Sequence, residues 1–180
     1  MFDNYSNYYD LLYQDKNYQE ETNYISSLLK KYEINDGDLL EFGSGTGKHG
    51  CLLAEKGYNV HGIELSTEMV SKAKTHPKFN CQQGDIANVK MSQSFDAVLS
   101  LFHVMSYQIS NNQIKAVFEN ASKHLNSGGL FIFDIWYSPA VHNLQPSVRV
   151  KRFENDKFKI IRVAEPKNFP NKNLVDVNYT

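Results

Sequence analysis

The chain has 180 residues, of which 41% are hydrophobic and 22% charged, a balance that suits one globular domain with a self-sufficient core. Its 19 basic and 20 acidic residues leave a net charge of −1, which argues against the clustered cations that nucleic-acid backbones require. No apolar run reaches the roughly 18 residues of a membrane span, and the polar N-terminus is unlike a signal peptide. We therefore expect a cytoplasmic protein that binds neither nucleic acid nor membrane.

Helix-like and strand-like patterns alternate through most of the chain. The predicted helices cover residues 18–32, 48–56, 67–74 and 112–125. The predicted strands between them cover residues 38–42, 59–65, 79–83, 95–101 and 130–135. This alternation predicts a parallel sheet with helices on both faces, which is a doubly wound, Rossmann-like α/β fold.

The pattern changes near the C-terminus. Residues 148–153, 157–163 and 174–179 read as strands without intervening helices, which predicts an antiparallel β ribbon inserted after the fifth strand. We expect a single domain made of a helical lid over 1–35, an α/β core over 36–140 and the ribbon over 141–180.

A glycine-rich turn follows the first predicted strand. Its residues are Gly43, Ser44, Gly45, Thr46 and Gly47. Dinucleotide-binding proteins use G-x-G-x-x-G here, but the position of the third glycine is occupied by Lys48. Glu41, two residues before the turn, suits the ammonium group of S-adenosylmethionine, which has no pyrophosphate to seat on a helix N-terminus. The turn favours S-adenosylmethionine, and an NAD oxidoreductase is the alternative.

Acidic residues also end the second and third predicted strands. A carboxylate at Glu64 can accept both ribose hydroxyls, a device that NAD enzymes and methyltransferases share. After the third strand, Gly84, Asp85 and Ile86 supply a carboxylate for an adenine amino group and an apolar side chain for the ring. Three such elements on consecutive strands favour a cofactor that contains adenosine.

Further motifs carry a family resemblance. They are Tyr9-Asp10-Leu11 with Lys16, Tyr18 and Glu20 or Glu21; Gly43–Gly47 with His49; Gly62–Ser66; Gly84-Asp85; Leu101–Tyr107; and Gly128–Tyr137. With these motifs the stretch 9–179 resembles class I S-adenosylmethionine-dependent methyltransferases. Within that group it is most similar to sugar N,N-dimethyltransferases of the desosamine and mycaminose type, which act on nucleotide-linked amino sugars and carry a β insertion over the active site.

The resemblance implies roles for individual residues. Tyr9 and Tyr18 would close over the methionine part of the cofactor, where hydroxyls or ring faces suit its charged groups. The further cofactor contacts that we expect are Leu65, Leu101 and Phe102. His103 and Tyr107 are the predicted catalytic residues, with Asp134 as the third candidate base. Tyr107 stands where the family has a histidine near the substrate amine.

We therefore expect a methyltransferase that acts on a small polar acceptor, either a nitrogen or an oxygen, and that releases S-adenosylhomocysteine. An amine needs little acid–base help once neutral, whereas a hydroxyl needs a base within hydrogen-bond reach. A protein that binds S-adenosylmethionine without turnover is the alternative from another class. We expect no metal, because the sequence shows neither HExxH nor a clustered set of carboxylates and histidines.

The number of predicted core strands leads to one more expectation. The class I sheet has seven strands, of which the sequence offers five before the ribbon. We therefore expect a C-terminally truncated chain that lacks the last two core strands. A sheet edge left unpaired in this way favours pairing with a second copy, as a homodimer.

Overall fold

A computed structural model describes residues 9–154 and 159–180. The helices are α1 (Tyr9–Leu12), α2 (Tyr18–Lys31), α3 (Lys48–Glu55), α4 (Thr67–Ser71), α5 (Asn111–His124) and α6 (Ser138–Asn143). The strands are β1 (Asp38–Phe42), β2 (Asn59–Glu64), β3 (Phe79–Gln83), β4 (Phe95–Ser100), β5 (Leu125–Phe133), β6 (Arg149–Glu154), β7 (Lys159–Phe169) and β8 (Leu174–Tyr179). Two short 3-10 helices cover Val104–Tyr107 and Pro170–Lys172.

The described chain divides into two compact units. The first unit comprises residues 15–135. The second comprises residues 9–14, 136–154 and 159–180. These boundaries differ from the expected divisions after residues 35 and 140. Helix α2, which we expected in a separate lid, packs on α3 within the first unit. Its N-cap Asn17 accepts a hydrogen bond from the backbone of Glu20, which fixes where the helix begins.

The first unit is built on a parallel sheet with the strand order β3-β2-β1-β4-β5. This order confirms the doubly wound α/β fold, and the described residues contain no sixth or seventh strand of this sheet. The order reverses between β1 and β4, since β2 and β3 lie on one side of β1 while β4 and β5 lie on the other. Ligands of such sheets bind at the carboxyl ends of the strands beside this switch point.

The core explains why β1 is almost wholly buried. Leu39 packs with Leu53 and Leu99 on one face of the sheet, while Leu40 packs with Val98 and Val117 on the other. Helices cover both faces, so successive side chains of the strand are buried alternately on opposite sides. Each such aliphatic side chain contributes about 2 kcal/mol of hydrophobic stabilisation. The buried strand therefore gives a rigid base to the turn that follows it.

The second unit holds an antiparallel sheet of order β6-β7-β8, which confirms the predicted ribbon set. Strand β7 runs to Phe169 and not to residue 163 as predicted. It is long because residues up to Ala164 pair with β6 and residues from Ala164 onward pair with β8. The short helices α1 and α6 also belong to this unit and were not predicted. The placement of the ribbon over the active site stays a prediction.

The largest local difference from the predictions lies at the start of β5. The predicted helix over 112–125 and strand over 130–135 leave Gly128 and Gly129 in a connecting loop, but the helix ends at His124 and the strand begins at once with Leu125. The strand accommodates both glycines through an irregularity, because its register with β4 shifts between Phe95 and Ala97. Gly128 adopts a left-handed φ of 83°, which suits a kink inside a strand.

Two smaller findings complete the fold. Helix α4 ends at Ser71, three residues earlier than predicted. In the described parts of the chain, none of the helices combines the length and apolar character needed to cross a membrane.

Candidate functional site

The glycine-rich turn leads from β1 into α3. Gly43, Gly45 and Gly47 all have left-handed backbone, with φ values of 73°, 55° and 74°. A Cβ at Gly43 would lie 2.5 Å from Val104, and one at Gly47 would lie 2.5 Å from the Phe79 ring. Above Gly45, by contrast, a Cβ would meet no atom within 4 Å. Two glycines therefore allow close packing, while the third leaves open space for the approach of a ligand.

The carboxylate of Glu64 ties the end of β2 to this turn. Its Oε2 accepts a hydrogen bond of 2.9 Å from the backbone N–H of Gly45. Its Oε1 accepts one of 2.9 Å from the backbone N–H of Ser66. A carboxylate offers roughly four acceptor positions, so about two are left for a ligand. The side chain is thus held in one orientation and can still accept hydroxyl protons.

Glu41 lies beneath the turn with only 1% of its surface exposed. Burial and then the charge of Glu64 raise its pKa from 4.5 to about 8, against a hydrogen bond from the Gly50 backbone. Its Oε1 is 3.9 Å from Nδ1 of His49, and its Oε2 has no hydrogen-bond partner among the described residues. An uncompensated buried carboxylate is destabilising, and a bound ammonium group would relieve that penalty.

His49, in the first turn of α3, connects this carboxylate to helix α2. Its Nε2 lies 2.7 Å from a carboxylate oxygen of Glu21, which also forms an ion pair with Lys16. The hydrogen bond with His49 and the charge of Lys16 lower the pKa of Glu21 to about 2. The Lys16 ammonium also lies over the rings of Tyr18 and Phe102, at 4.7 and 4.3 Å from their centroids. These contacts connect helix α2 to the start of α3, directly after the glycine-rich turn.

The turn after β4 is built differently. Phe102 and His103 are consecutive non-glycine residues with left-handed φ values of 63° and 64°, each of which costs about 1–2 kcal/mol. The backbone N–H of His103 donates a 2.8 Å hydrogen bond to Oδ1 of Asp134, and its Nδ1 lies 3.3 Å from Oδ2. Asp134 follows β5 and is held by a backbone bond to Ser100. Backbone strain of this kind is typical of functional sites.

The structure brings most of the predicted cofactor residues to the same edge of the sheet. Glu41, Gly43, Ser44, Gly45, Gly47 and Glu64 surround the turn. Gly84 donates its backbone N–H to the carbonyl of Glu64, and buried Ser44 lies 3.2 Å from the sulfur of Cys81. Leu101 and Phe102 begin the turn after β4. The ring of Tyr18 lies beside that of His49, with 4.9 Å between the ring centroids and a tilt of 60°. Their individual roles stay predictions.

Other predicted residues have different surroundings. Tyr9 belongs to the second unit, where its ring centroid lies 4.9 Å from that of Tyr13 and the two rings are tilted by 53°. Tyr107 ends the 3-10 helix and is 67% exposed, and Leu65 is also exposed. The Asp85 carboxylate accepts bonds from the next residues of its own loop, while Ile86 is buried. The contribution of these residues to a site is therefore still a prediction.

Two glycines outside the motif are also needed for this arrangement. A Cβ at Gly50 in α3 would lie 2.9 Å from Oε2 of Glu41, and one at Gly62 in β2 would lie 2.6 Å from the Ser44 hydroxyl. Both make room for side chains of the site. A glycine inside a helix or a strand is a known sign of close approach, and this signal could have identified both positions.

Comparison with known proteins agrees with this arrangement. Residues 39–129 match the family described as a methyltransferase domain. The chain is 26% identical over 175 residues to the dTDP-3-amino-3,4,6-trideoxy-alpha-D-glucopyranose N,N-dimethyltransferase of Streptomyces venezuelae, covering 96% of the chain and 73% of that protein. It is 25% identical to the dTDP-3-amino-3,6-dideoxy-alpha-D-glucopyranose N,N-dimethyltransferase of Streptomyces fradiae, covering 95% and 68%.

The fold is also similar to that of a solved methyltransferase structure. The S-adenosylmethionine-dependent methyltransferase of Clostridium acetobutylicum ATCC 824 superposes with a TM-score of 0.72 at 26% identity. The superposition covers 90% of this chain and 67% of that one. The shared fold therefore extends beyond residues 39–129.

Proposed function

The chain belongs to the methyltransferase domain family and is an S-adenosylmethionine-dependent methyltransferase, and on this premise we propose that it methylates an amino group of a nucleotide-linked amino sugar. Membership of the family confirms the predicted cofactor and enzyme class and sets aside the NAD oxidoreductase. Membership of the family does not identify the acceptor, which is the subject of our proposal.

The observation that carries this proposal is the extent of the match to two curated relatives. Both relatives are named for N,N-dimethylation of dTDP-linked 3-amino sugars. Their alignments cover 96% and 95% of the chain, well past the matched domain of residues 39–129. The ribbon sheet is therefore included in the similarity, and segments outside a shared cofactor core are where acceptors are usually selected. This favours nitrogen over oxygen as the accepting atom.

The residues around the glycine turn fit S-adenosylmethionine. The open space at Gly45 admits a ligand close to the backbone, and the buried Oε2 of Glu41 lacks a protein partner among the described residues. In our proposal Glu41 receives the ammonium group and Glu64 the ribose hydroxyls. The bound cofactor supplies a methyl group that is activated by a positively charged sulfur.

His103 is the residue that we propose as the base. A protonated amine cannot attack, so a proton must leave before methylation. Asp134 faces Nδ1 of the imidazole at 3.3 Å, and Nε2 is the nitrogen that we propose as the acceptor of the substrate proton. Tyr107, the second predicted catalytic residue, lies in the 3-10 helix that follows and is proposed to position the acceptor.

A direct assay tests the function. The protein is incubated with methyl-labelled S-adenosylmethionine and a dTDP-linked 3-amino sugar, beside the matched sugar that bears a hydroxyl in place of the amine. We expect label on the amine compound alone, and His103→Asn should lower the rate while His142→Asn in α6 should not.

Transfer to the hydroxyl compound alone would reject the choice of nitrogen. Binding of S-adenosylhomocysteine without any transfer would point to the non-catalytic alternative.

A further inference from the structure

The β3–β4 loop, residues 84–94, contains the predicted adenine contacts Asp85 and Ile86. All of its residues are described, and none of them belongs to a helix or a strand. Within the loop the Asp85 carboxylate accepts hydrogen bonds from the backbone of Ala87 at 2.9 Å and from the side chain of Asn88 at 3.3 Å. These local bonds shape the turn, but they do not attach it to the rest of the first unit.

Helix α5 holds this loop through two side chains. Nδ2 of Asn120 donates a hydrogen bond of 2.9 Å to the carbonyl of Ile86. Nε2 of His124 accepts one of 3.0 Å from the backbone N–H of Met91. The two side chains are four residues apart, so they lie on the same face of the helix. The loop is therefore fixed to the helix at two separate points of its backbone.

Both side chains are buried, with 7% of Asn120 and 6% of His124 exposed. A buried polar group is destabilising unless it is hydrogen-bonded, and here both residues satisfy backbone groups of the loop. Ile86 also packs in one core cluster with Val117 and Ala121 of the same helix. Hydrophobic contacts have no preferred direction, so the two hydrogen bonds determine how the loop is oriented on this core.

The partners of His124 determine where its ring carries a proton. The Met91 N–H can only donate, so Nε2 must present a lone pair. The backbone carbonyl of Asn120, which lies 2.7 Å from Nδ1, can only accept, so Nδ1 must carry the proton. The imidazole is thus bonded to its own helix on one side and to the loop on the other, which fixes its orientation.

We propose that Asn120 and His124 are positioning residues for the cofactor, which hold the β3–β4 loop where the Asp85 carboxylate meets the amino group of adenine. A carboxylate offers roughly four acceptor positions, so about two are left at Asp85 for a ligand. Hydrogen bonds weaken steeply as their geometry departs from the optimum, so a small displacement of the loop would weaken this contact. The inference rests on the part of the proposed function that seats S-adenosylmethionine at the glycine turn, and it does not depend on the acceptor.

Calorimetry on the full chain tests the proposal with two ligands, S-adenosylhomocysteine and the matched analogue whose purine has hydrogen in place of the 6-amino group. We expect the unchanged protein to prefer S-adenosylhomocysteine, because only its amino group can donate to Asp85. Asn120→Leu and His124→Phe each remove a bond to the loop and should weaken S-adenosylhomocysteine about tenfold. They should weaken the analogue less than about threefold, so the preference between the two ligands should narrow.

Two further variants serve as controls. His124→Gln keeps an acceptor, because its amide oxygen can reach the position of Nε2, and its preference should stay within about twofold of the unchanged protein. Tyr58→Phe also removes one buried hydrogen bond, which joins the Tyr58 hydroxyl to the carbonyl of Ile34 at 3.1 Å. Tyr58 lies just before β2, at the end of the strand opposite Glu64, so this variant should change both affinities less than about twofold. The preference is a ratio of two affinities and therefore does not depend on the fraction of folded protein.

Nitrogen NMR of the imidazole ring gives a second readout in the unchanged protein. We expect the proton on Nδ1 of His124, and a proton on Nε2 would overturn the proposal because the bond from Met91 could not exist. Equal weakening of the two ligands in Asn120→Leu would also overturn it, since this residue would then serve the fold alone. So would equal binding of the two ligands by the unchanged protein, since Asp85 would then make no bond to the amino group.

The same measurements separate this inference from the proposed function. Methylation of the nucleotide-linked amine by a protein whose ligand preference is unaffected by Asn120→Leu and His124→Phe would reject the positioning role and leave the function standing. The expected pattern of ligand preference, but no methylation of the amine, would reject the function and leave the positioning role.

Discussion

The turns after β1 and β4 lie at the ends of neighbouring strands, and both contain left-handed backbone. In the first turn that backbone is provided by Gly43, Gly45 and Gly47. In the second it is provided by Phe102 and His103, which carry large side chains. The two turns also touch, because the backbone at Gly43 packs directly against Val104.

The difference between them separates two uses of the same backbone conformation. Glycine adopts it without strain and keeps the surface clear for a ligand. A residue with a side chain adopts it only when other contacts compensate, and here Asp134 provides one through the backbone of His103. The first turn is thus shaped to leave space, and the second to hold an imidazole in place.

Gly43→Ala should produce the largest effect. Left-handed backbone strain and a contact at 2.5 Å with Val104 together should lower the free energy of unfolding by about 3 kcal/mol. Gly45→Ala is the matched control, since its Cβ meets open space and only the strain of about 1 kcal/mol applies. Urea denaturation measures both, and equal losses in the two variants would contradict the packing argument.

Glu41 gives the first turn a pH dependence. Burial raises its pKa from 4.5 to about 8, so between these values the folded protein holds a proton that the unfolded chain has released. The stabilisation is complete below pH 4.5 and is lost as the pH rises through 8. The free energy of unfolding should therefore fall by up to about 1.4 kcal/mol per pH unit in this window.

Denaturation of the cofactor-free protein at several pH values measures that slope. Glu41→Gln should flatten it. Glu21→Gln is the control, because the pKa of Glu21 is lowered to about 2 and its contribution is lost only as the pH falls below 4.5. An unchanged slope in Glu41→Gln would assign the pH dependence to another group.

Asp134→Ala should destabilise the turn after β4, because it removes the acceptor of the His103 backbone N–H. The half-exposed carboxylate accepts one backbone hydrogen bond, so its removal should cost about 1 kcal/mol of stability, after allowance for solvent exposure. Because the imidazole is no longer oriented, kcat should fall further than the affinity for S-adenosylhomocysteine. A loss of affinity without a loss of kcat would show that the residue serves the cofactor.

His103→Gly should change the free energy of unfolding least, and it should raise it where the other variants lower it. Relief of the left-handed strain outweighs the greater freedom of glycine in the unfolded chain, for a net gain of about 0.5 kcal/mol. Methyl transfer should nevertheless be lost. Thermal unfolding and the methylation assay together check this, and a clear destabilisation would mean that the side chain holds the turn.

The features that local patterns determine were predictable. The alternation of apolar runs predicted the parallel sheet, and the spacing of Glu41, the glycines and Glu64 predicted a common edge. Helix α4 begins at Thr67 as predicted, and Ser66 caps it, with its hydroxyl accepting a hydrogen bond from the Met69 backbone. Each of these depends on residues close in sequence or on the geometry common to parallel sheets.

The remaining features depend on contacts between distant parts of the chain. The link from Glu21 to His49 spans 28 residues, and that from His103 to Asp134 spans 31. Left-handed backbone at Phe102 and His103 has no local signal, because such residues ordinarily avoid it. The start of β5 at Leu125 is set by pairing with β4 and overrides the usual effect of Gly128 and Gly129 as helix terminators.

The central position of β1 has a consequence for folding. Its β2 partner lies nearby in the chain, since Leu39 pairs with Val60, but on its other side it pairs with Ala97, far later in sequence. Contacts of long sequence separation form late because closing the intervening chain costs entropy. We therefore expect the amide of Gly45 to gain protection early with β2, while the contact of Gly43 with Val104 forms only when β4 docks. Pulse-labelled hydrogen exchange during refolding would follow the two events. The order implies that a newly made chain acquires the proposed methyl-donor pocket only after the polypeptide beyond residue 104 has emerged.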